Sequence, residues 1–146
     1  MATITAANSI VMLGIRNLFP VALEIQGFSM DDVFGSEALE TVETMMGVDG
    51  RLSAGWVATA KKFTISLQAD SPSNDVFDSC HNAQETVREA FEWFGELSLP
   101  SIGRTFTLTQ GYMTTYMPTP EVKKVLQPRK FTLTWARIQG ARIPVF

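Results

Sequence analysis

The sequence predicts a mainly β fold, a β-sandwich or barrel, with one long α-helix laid against its side. Three observations predict it. Apolar and polar residues alternate with period two in several separate stretches, the mark of half-buried strands. One stretch alone carries a strong helical period. An Asp-Gly pair, Asp49-Gly50, sits between two extended runs and marks a hairpin. At 146 residues the chain is the size of one domain with a substantial core. We therefore take residues 1–146 as a single domain.

In chain order, Ser9–Leu13 is a short apolar run and a candidate strand. Val21–Gly27 alternates Val21, Leu23 and Ile25 against Ala22, Glu24 and Gln26, with Pro20 tolerated at the strand start. The stretch Phe28–Gly35 reads as a loop. Ser36–Met46 is ambiguous, because Leu39, Val42 and Met46 suit a helix while Thr41, Val42 and Thr44 suit a strand. Val48-Asp49-Gly50-Arg51 decides for a long hairpin, roughly Glu40–Val57, projecting from the body with a type I′ turn. Its Met45, Met46 and Trp56 are core residues or a contact surface for another chain.

Phe63, Ile65 and Leu67 alternate with Thr64, Ser66 and Gln68. The helix follows, expected over about residues 72–95. Ser71 is its candidate N-cap, Pro72 its first helical position, and Asp75 and Asp78 complement the positive end of the dipole. Val76, Phe77, Cys80, Ala83, Val87, Ala90, Phe91 and Phe94 form one apolar face, and Gly95 is the expected stop. Leu97–Leu99 is short and ends at Pro100. Phe106 and Leu108 alternate with Thr105, Thr107 and Thr109, Gly111 permits a bulge, and Tyr112–Met117 continues the run. Pro118-Thr119-Pro120 breaks it, and Glu121–Gln127 is a connector. Phe131, Leu133 and Trp135 alternate with Thr132, Thr134 and Ala136. The final ARIPVF is extended and a candidate for docking on a neighbour.

Enzyme chemistry finds little support. The one histidine, His81, reads as a solvent-facing helix residue, and the one cysteine, Cys80, as a small buried hydrophobe rather than a reactive thiol. No metal-binding, phosphate-loop or nucleophile-elbow motif is present. Glu37, Glu40 and Glu43 read as solvated charge. No cofactor is expected. No stretch approaches the roughly 18 apolar residues of a membrane span, and the N-terminus lacks a signal-peptide pattern, so no membrane anchor is expected.

The net charge of −3 is unevenly spread. Residues 1–60 carry two basic and seven acidic side chains, whereas residues 97–146 carry seven basic and one acidic. Folding either intermixes these charges or sets a basic face of one copy against an acidic face of the next. The Thr/Ser/Gln faces are either ordinary solvent-facing sheet or a smooth hydrophilic lining.

The segments ETMMGVDGRLSAGW (Glu43–Trp56), KKFTISLQADSPSNDVFDSCHNAQ (Lys61–Gln84) and KKVLQPRKFTLTW (Lys123–Trp135) resemble phage tail tube proteins, whose members also carry labels such as tail protein or tail fibre protein. The likeness spans roughly residues 20–136. It implies a β-sandwich with one flanking helix, six copies to a ring, and rings stacked into a tube whose lumen conducts double-stranded DNA. It also implies that the chain performs no catalysis and belongs to the virion tail, assembled in the host cytoplasm. Implied partners are the chain itself, a baseplate or initiator, a tape measure protein, and a sheath if the tail contracts.

On this resemblance Met45, Met46, Val48, Asp49, Gly50, Arg51 and Trp56 form the ring-stacking hairpin. The candidate lumen-facing residues are Glu24, Thr64, Ser66, Gln68, Thr105, Thr107, Thr109, Thr132 and Thr134. A conduit should not grip phosphate, so the basic C-terminal third is expected at subunit contacts or on the outer surface. One alternative is a tail terminator or completion protein. Another is a monomeric β-barrel that binds nucleic acid, stacking bases on Phe131, Tyr112 or Tyr116 and holding phosphates with Lys123, Lys124, Arg129 and Lys130.

Overall fold

The computed structural model describes residues 9–28 and 34–142. Nine strands and one helix follow in the order β1 Ile10–Ile15, β2 Phe19–Glu24, β3 Phe34–Ser36, β4 Val42–Met46, β5 Leu52–Trp56, β6 Lys61–Leu67, α1 Asn74–Val87, β7 Trp93–Leu99, β8 Arg104–Thr115 and β9 Arg129–Arg142. The fold is mainly β with a single helix. Seven strands form one antiparallel sheet in the order β2-β1-β7-β8-β9-β6-β3, and β4 and β5 pair only with each other.

The sheet curls until the link after β2 reaches the end of β6. The link after β2 makes the closure: the Ile25 amide donates to the Val11 carbonyl, the Gly27 carbonyl accepts from the Gln68 amide, and Phe28 bridges Leu67. The long strands β8 and β9 turn the corner together. Leu108 and Gly111 both face the core although they are three residues apart, as do their partners Ile138 and Trp135. Thr109-Gln110 and Ala136-Arg137 lie exposed between them, with Gln110 at a φ of 51°. Such a break lets a strand pass from one layer of a sandwich to the other. Simple alternation in the sequence hides it.

Inside lies one core, built from β1 (Val11, Leu13, Ile15), β6 (Phe63, Ile65, Leu67), β7, β8 and β9. Helix α1 covers it with Phe77 and Cys80. Phe77 stacks between Trp93, at 5.2 Å, and Phe131, at 4.3 Å.

The structure corrects three sequence expectations about the helix. It does not reach residue 95: Val87 is its last residue, and Arg88 adopts a left-handed φ of 61° while its amide donates to the Gln84 carbonyl. Trp93–Leu99 is a strand whose Trp93 and Leu97 point inward. Gly95 is therefore not a helix stop. A Cβ there would lie 2.6 Å from both the Leu13 side chain and the Met12 carbonyl, so glycine lets β7 approach β1. Ser71 is not the N-cap either. Its hydroxyl donates to the Gln26 carbonyl, and Ser73 Oγ accepts from the Gln26 amide at 2.8 Å. The two serines fasten the helix start to the closing link instead. β3, which the sequence left within a loop, pairs with β6 through Phe34↔Ile65.

Candidate assembly surfaces

Every residue of the β4–β5 ribbon's two strands is exposed. Its register runs from Val42↔Trp56 to Met46↔Leu52, and the Val57 amide extends it by donating to the Thr41 carbonyl. At the tip the Gly50 amide donates to the Gly47 carbonyl, and Asp49 Oδ1 accepts from the Arg51 amide. Only Gly50 has positive φ, at 84°. The loop is thus a turn closed by a left-handed glycine, not the type I′ turn that Asp49-Gly50 suggested. Alternation gives the ribbon two faces. Val42, Met46, Leu52 and Trp56 share one face, with exposures between 51% for Val42 and 77% for Trp56. Glu43 and Met45 lie on the other. Met45, Met46 and Trp56 are therefore surface residues in the subunit.

The candidate lumen residues fall into two groups on opposite layers. On the first layer, register aligns Glu24, Met12, Glu96, Thr107 and Gln139 in one row across five strands, with Ser98 and Thr105 in the next row. Thr105 donates to the Glu96 carboxylate at 2.9 Å. On the second layer, Thr64 opposes Thr132 and Lys62 opposes Thr134. Hydroxyls pair there between Thr64 and Thr132 at 3.3 Å and between Thr114 and Thr134 at 2.9 Å. Ser66 sits opposite Lys130 and is buried. Thr109 lies at the corner opposite Arg137, and Gln68 lies just past the end of β6. The candidates therefore do not share one face of the sheet.

A third cluster ties α1 to β9. Arg129 is buried, and its guanidinium donates to Asp78 Oδ1 at 2.7 Å and to the Met117 carbonyl at 2.8 Å. The Tyr116 hydroxyl donates to the same carboxylate, and its ring stacks on His81 at 4.1 Å. The Arg129 guanidinium holds the Asp78 carboxyl below its ordinary range against the opposing effect of burial. Burial, with the Asp78 hydrogen bond, pushes the Tyr116 phenol up. His81 is thus partly covered rather than simply solvent-facing. No sequence signal announced this network, because Asp78 and Arg129 lie 51 residues apart.

These placements take Phe131 and Arg129 out of the base-stacking reading, while Lys123, Lys124 and Lys130 stay exposed. Phe131 is fully buried and stacked on Phe77, so no base reaches it. Arg129 is occupied by Asp78 and backbone carbonyls. Burial drives the Cys80 thiol up to about 11, which suits a core residue and not a nucleophile. Among the described residues no group of three or more His, Cys, Asp or Glu could hold a metal, and no helix is long and apolar enough to cross a membrane.

A sequence model of the family described as tail fiber protein gp32 matches residues 2–139. The chain belongs to that family. No curated protein matches the sequence of this tail protein. Its fold recurs in solved assemblies. A chain of the PVC sheath–tube complex, an extracellular contractile injection system in its extended state, matches with a TM-score of 0.60 and 13% identity, over 97% of this chain and 93% of that one. A chain of the cap that terminates the anti-feeding prophage tube matches with 0.59 and 13%, over 97% and 93%. A chain of the anti-feeding prophage baseplate, solved with 6-fold symmetry, matches with 0.57 and 15%, over 99% and 100%. At such identities the likeness concerns the fold, which is that of phage-tail-like structural components.

Proposed function

We propose that this tail protein is the tube subunit, six copies to a ring, with rings stacked through the β4–β5 ribbon. The carrying observation is the apolar face of that ribbon. Val42, Met46, Leu52 and Trp56 are all exposed on an element that contacts no core. A two-stranded ribbon is at best marginal alone, and a large apolar face in water marks a contact site. The edges of the main sheet, β2 and β3, supply the second set of contacts needed for a ring.

The first layer is the better lumen lining. Its two outer rows carry Glu24, Glu96, Ser98, Thr105, Thr107 and Gln139, with Arg137 the one cation beside them, at the corner opposite Thr109. The second layer carries Lys62 and Lys130 beside its threonines. Cations grip phosphate, and a duplex slides past a neutral or acidic wall. Double-stranded DNA then passes without specific contacts. A sheath, a baseplate or initiator and a tape measure protein complete the set of partners, and the assembled subunit resides in the virion tail.

Electron microscopy of the purified chain across a range of concentrations tests the reading. Open tubes are the expected result. Single rings that never stack would support the second reading, a tail terminator, which the match to the tube-terminating cap favours. Monomers at every concentration would end both.

A further inference from the structure

Beyond the ribbon, one cleft combines apolar walls with two arginines at its mouth. It opens between β3–β6 and β7–β8–β9, with a volume of about 270 Å³, and Phe34, Phe63, Leu97, Leu99, Phe106 and Ile138 line it. Arg104 and Arg142 stand directly opposite each other in the β8–β9 register, beyond Phe106 and Ile138. The Arg104 guanidinium lies on the cleft side, because a Cβ on Gly140 would meet both Arg104 Nη2 at 3.8 Å and the Phe106 ring at 2.9 Å. Like charges directly opposed across two strands are destabilising. Neither arginine has an ion-pair partner among the described residues. Apolar walls with two cations at the mouth, neither ion-paired among the described residues, call for an occupant that is apolar and acidic.

The ribbon has that chemistry. Four large apolar side chains share its exposed face, and Glu37, Glu40, Glu43 and Asp49 in the ribbon and its root outnumber the single cation Arg51. We propose that the ribbon of one copy docks in this cleft of a second copy, its carboxylates facing Arg104 and Arg142. The inference rests on the assembly reading above and adds the receiving site. Gly35 and Ser36 line the cleft and lead straight into the ribbon, so each cleft lies at the foot of its own copy's ribbon. Tip-to-foot contact is heterologous and leaves a free ribbon at one end and a free cleft at the other. Such a contact repeats without closing on a pair.

Charge reversal tests it on the full chain by sedimentation, with circular dichroism to establish folding. Arg104→Glu/Arg142→Glu and, separately, Glu37→Arg/Glu40→Arg each raise the concentration for half-assembly by about tenfold or more. Combining all four changes recovers assembly to within about threefold of the original protein. A second measurement needs no charge change: Met46→Cys protein mixed with Ile138→Cys protein forms a mixed disulfide under mild oxidation. Unimpaired tubes from Arg104→Glu/Arg142→Glu, or no mixed disulfide although both thiols react with a small reagent, overturn the inference and leave the tube reading standing. The unaltered protein remaining monomeric overturns both.

Discussion

Helix α1 and the β4–β5 ribbon are of similar length, and both leave the main sheet. They treat their apolar side chains differently. Phe77 of α1 is stacked between Trp93 and Phe131, and Cys80 beside it is fully buried. Met46 and Trp56 of the ribbon touch no core and stand mostly in water. The helix is also anchored by charge, through Asp78 to Arg129, whereas Glu43 of the ribbon has no ion-pair partner among the described residues. Side chains of one region are spent on folding the subunit. Those of the other take no part in the subunit's own core. Substitutions in the two regions should therefore separate stability from assembly.

The largest stability effect is expected at Phe77. Phe77→Ala removes a ring held on two sides by aromatic neighbours and leaves a cavity, at a cost of about 3–5 kcal/mol. Urea denaturation measures it, and a loss below about 1 kcal/mol would mean that the helix does not seal the core. Next comes the anchor. Asp78→Asn leaves the Arg129 guanidinium buried beside a neutral amide. Breaking a buried pair costs roughly 3–5 kcal/mol, and because Asp78 keeps 35% of its side chain in water we expect about 2–3 kcal/mol. Arg129→Met, which removes the buried charge along with the pair, should cost less than Asp78→Asn.

The same anchor sets a pH dependence. The folded Asp78 carboxyl lies below its ordinary 3.8, so its contribution is complete above that pH and fades as pH falls through the lower, folded value. On the alkaline side, Cys80 is raised from 9.0 to about 11 and Tyr116 is raised above 10.0. Both are neutral in the fold, so stability is retained below pH 9 and drains as pH rises toward 11. Thermal unfolding between pH 3 and pH 10 should show the acid loss in the original protein and not in Asp78→Asn. An identical acid limb in both would remove Asp78 as its source.

Local sequence patterns marked one of these regions more fully than the other. Met45, Met46 and Trp56 flank Asp49-Gly50, so the turn and the large apolar residues of the ribbon are visible within fifteen residues of chain. The alternations at Phe63–Leu67 and Phe131–Trp135 are equally local, and both became inward-facing strand rows. The end of α1 was not legible, because Phe91 and Phe94 continue the helical period by coincidence while Trp93, Gly95 and Leu97 set up a strand. What decides between them is the contact of Gly95 with β1, some eighty residues away in the chain. The corner at Thr109-Gln110 and Ala136-Arg137 was hidden for a related reason. Two strands break their alternation together, and only their pairing reveals it. As a result, threonines that look equivalent in the sequence, Thr107 and Thr134, lie on different layers.

The smallest stability effect, and the sharpest test of the comparison, belongs to the ribbon. Met46→Asp exchanges one exposed side chain for another on an element without core contacts, so folding stability should change by no more than about 0.5 kcal/mol. Deleting Val48–Arg51 shortens the ribbon without touching the main sheet and should also leave the subunit folded. In both variants electron microscopy should show no tubes, because an unpaired carboxylate in an apolar contact costs far more than it does in water. Normal tubes from a Met46→Asp protein would mean that the apolar face of the ribbon is not what holds successive copies together. A Met46→Asp protein destabilised as strongly as Phe77→Ala would mean that the ribbon serves the subunit's own fold, and the contrast with α1 would disappear.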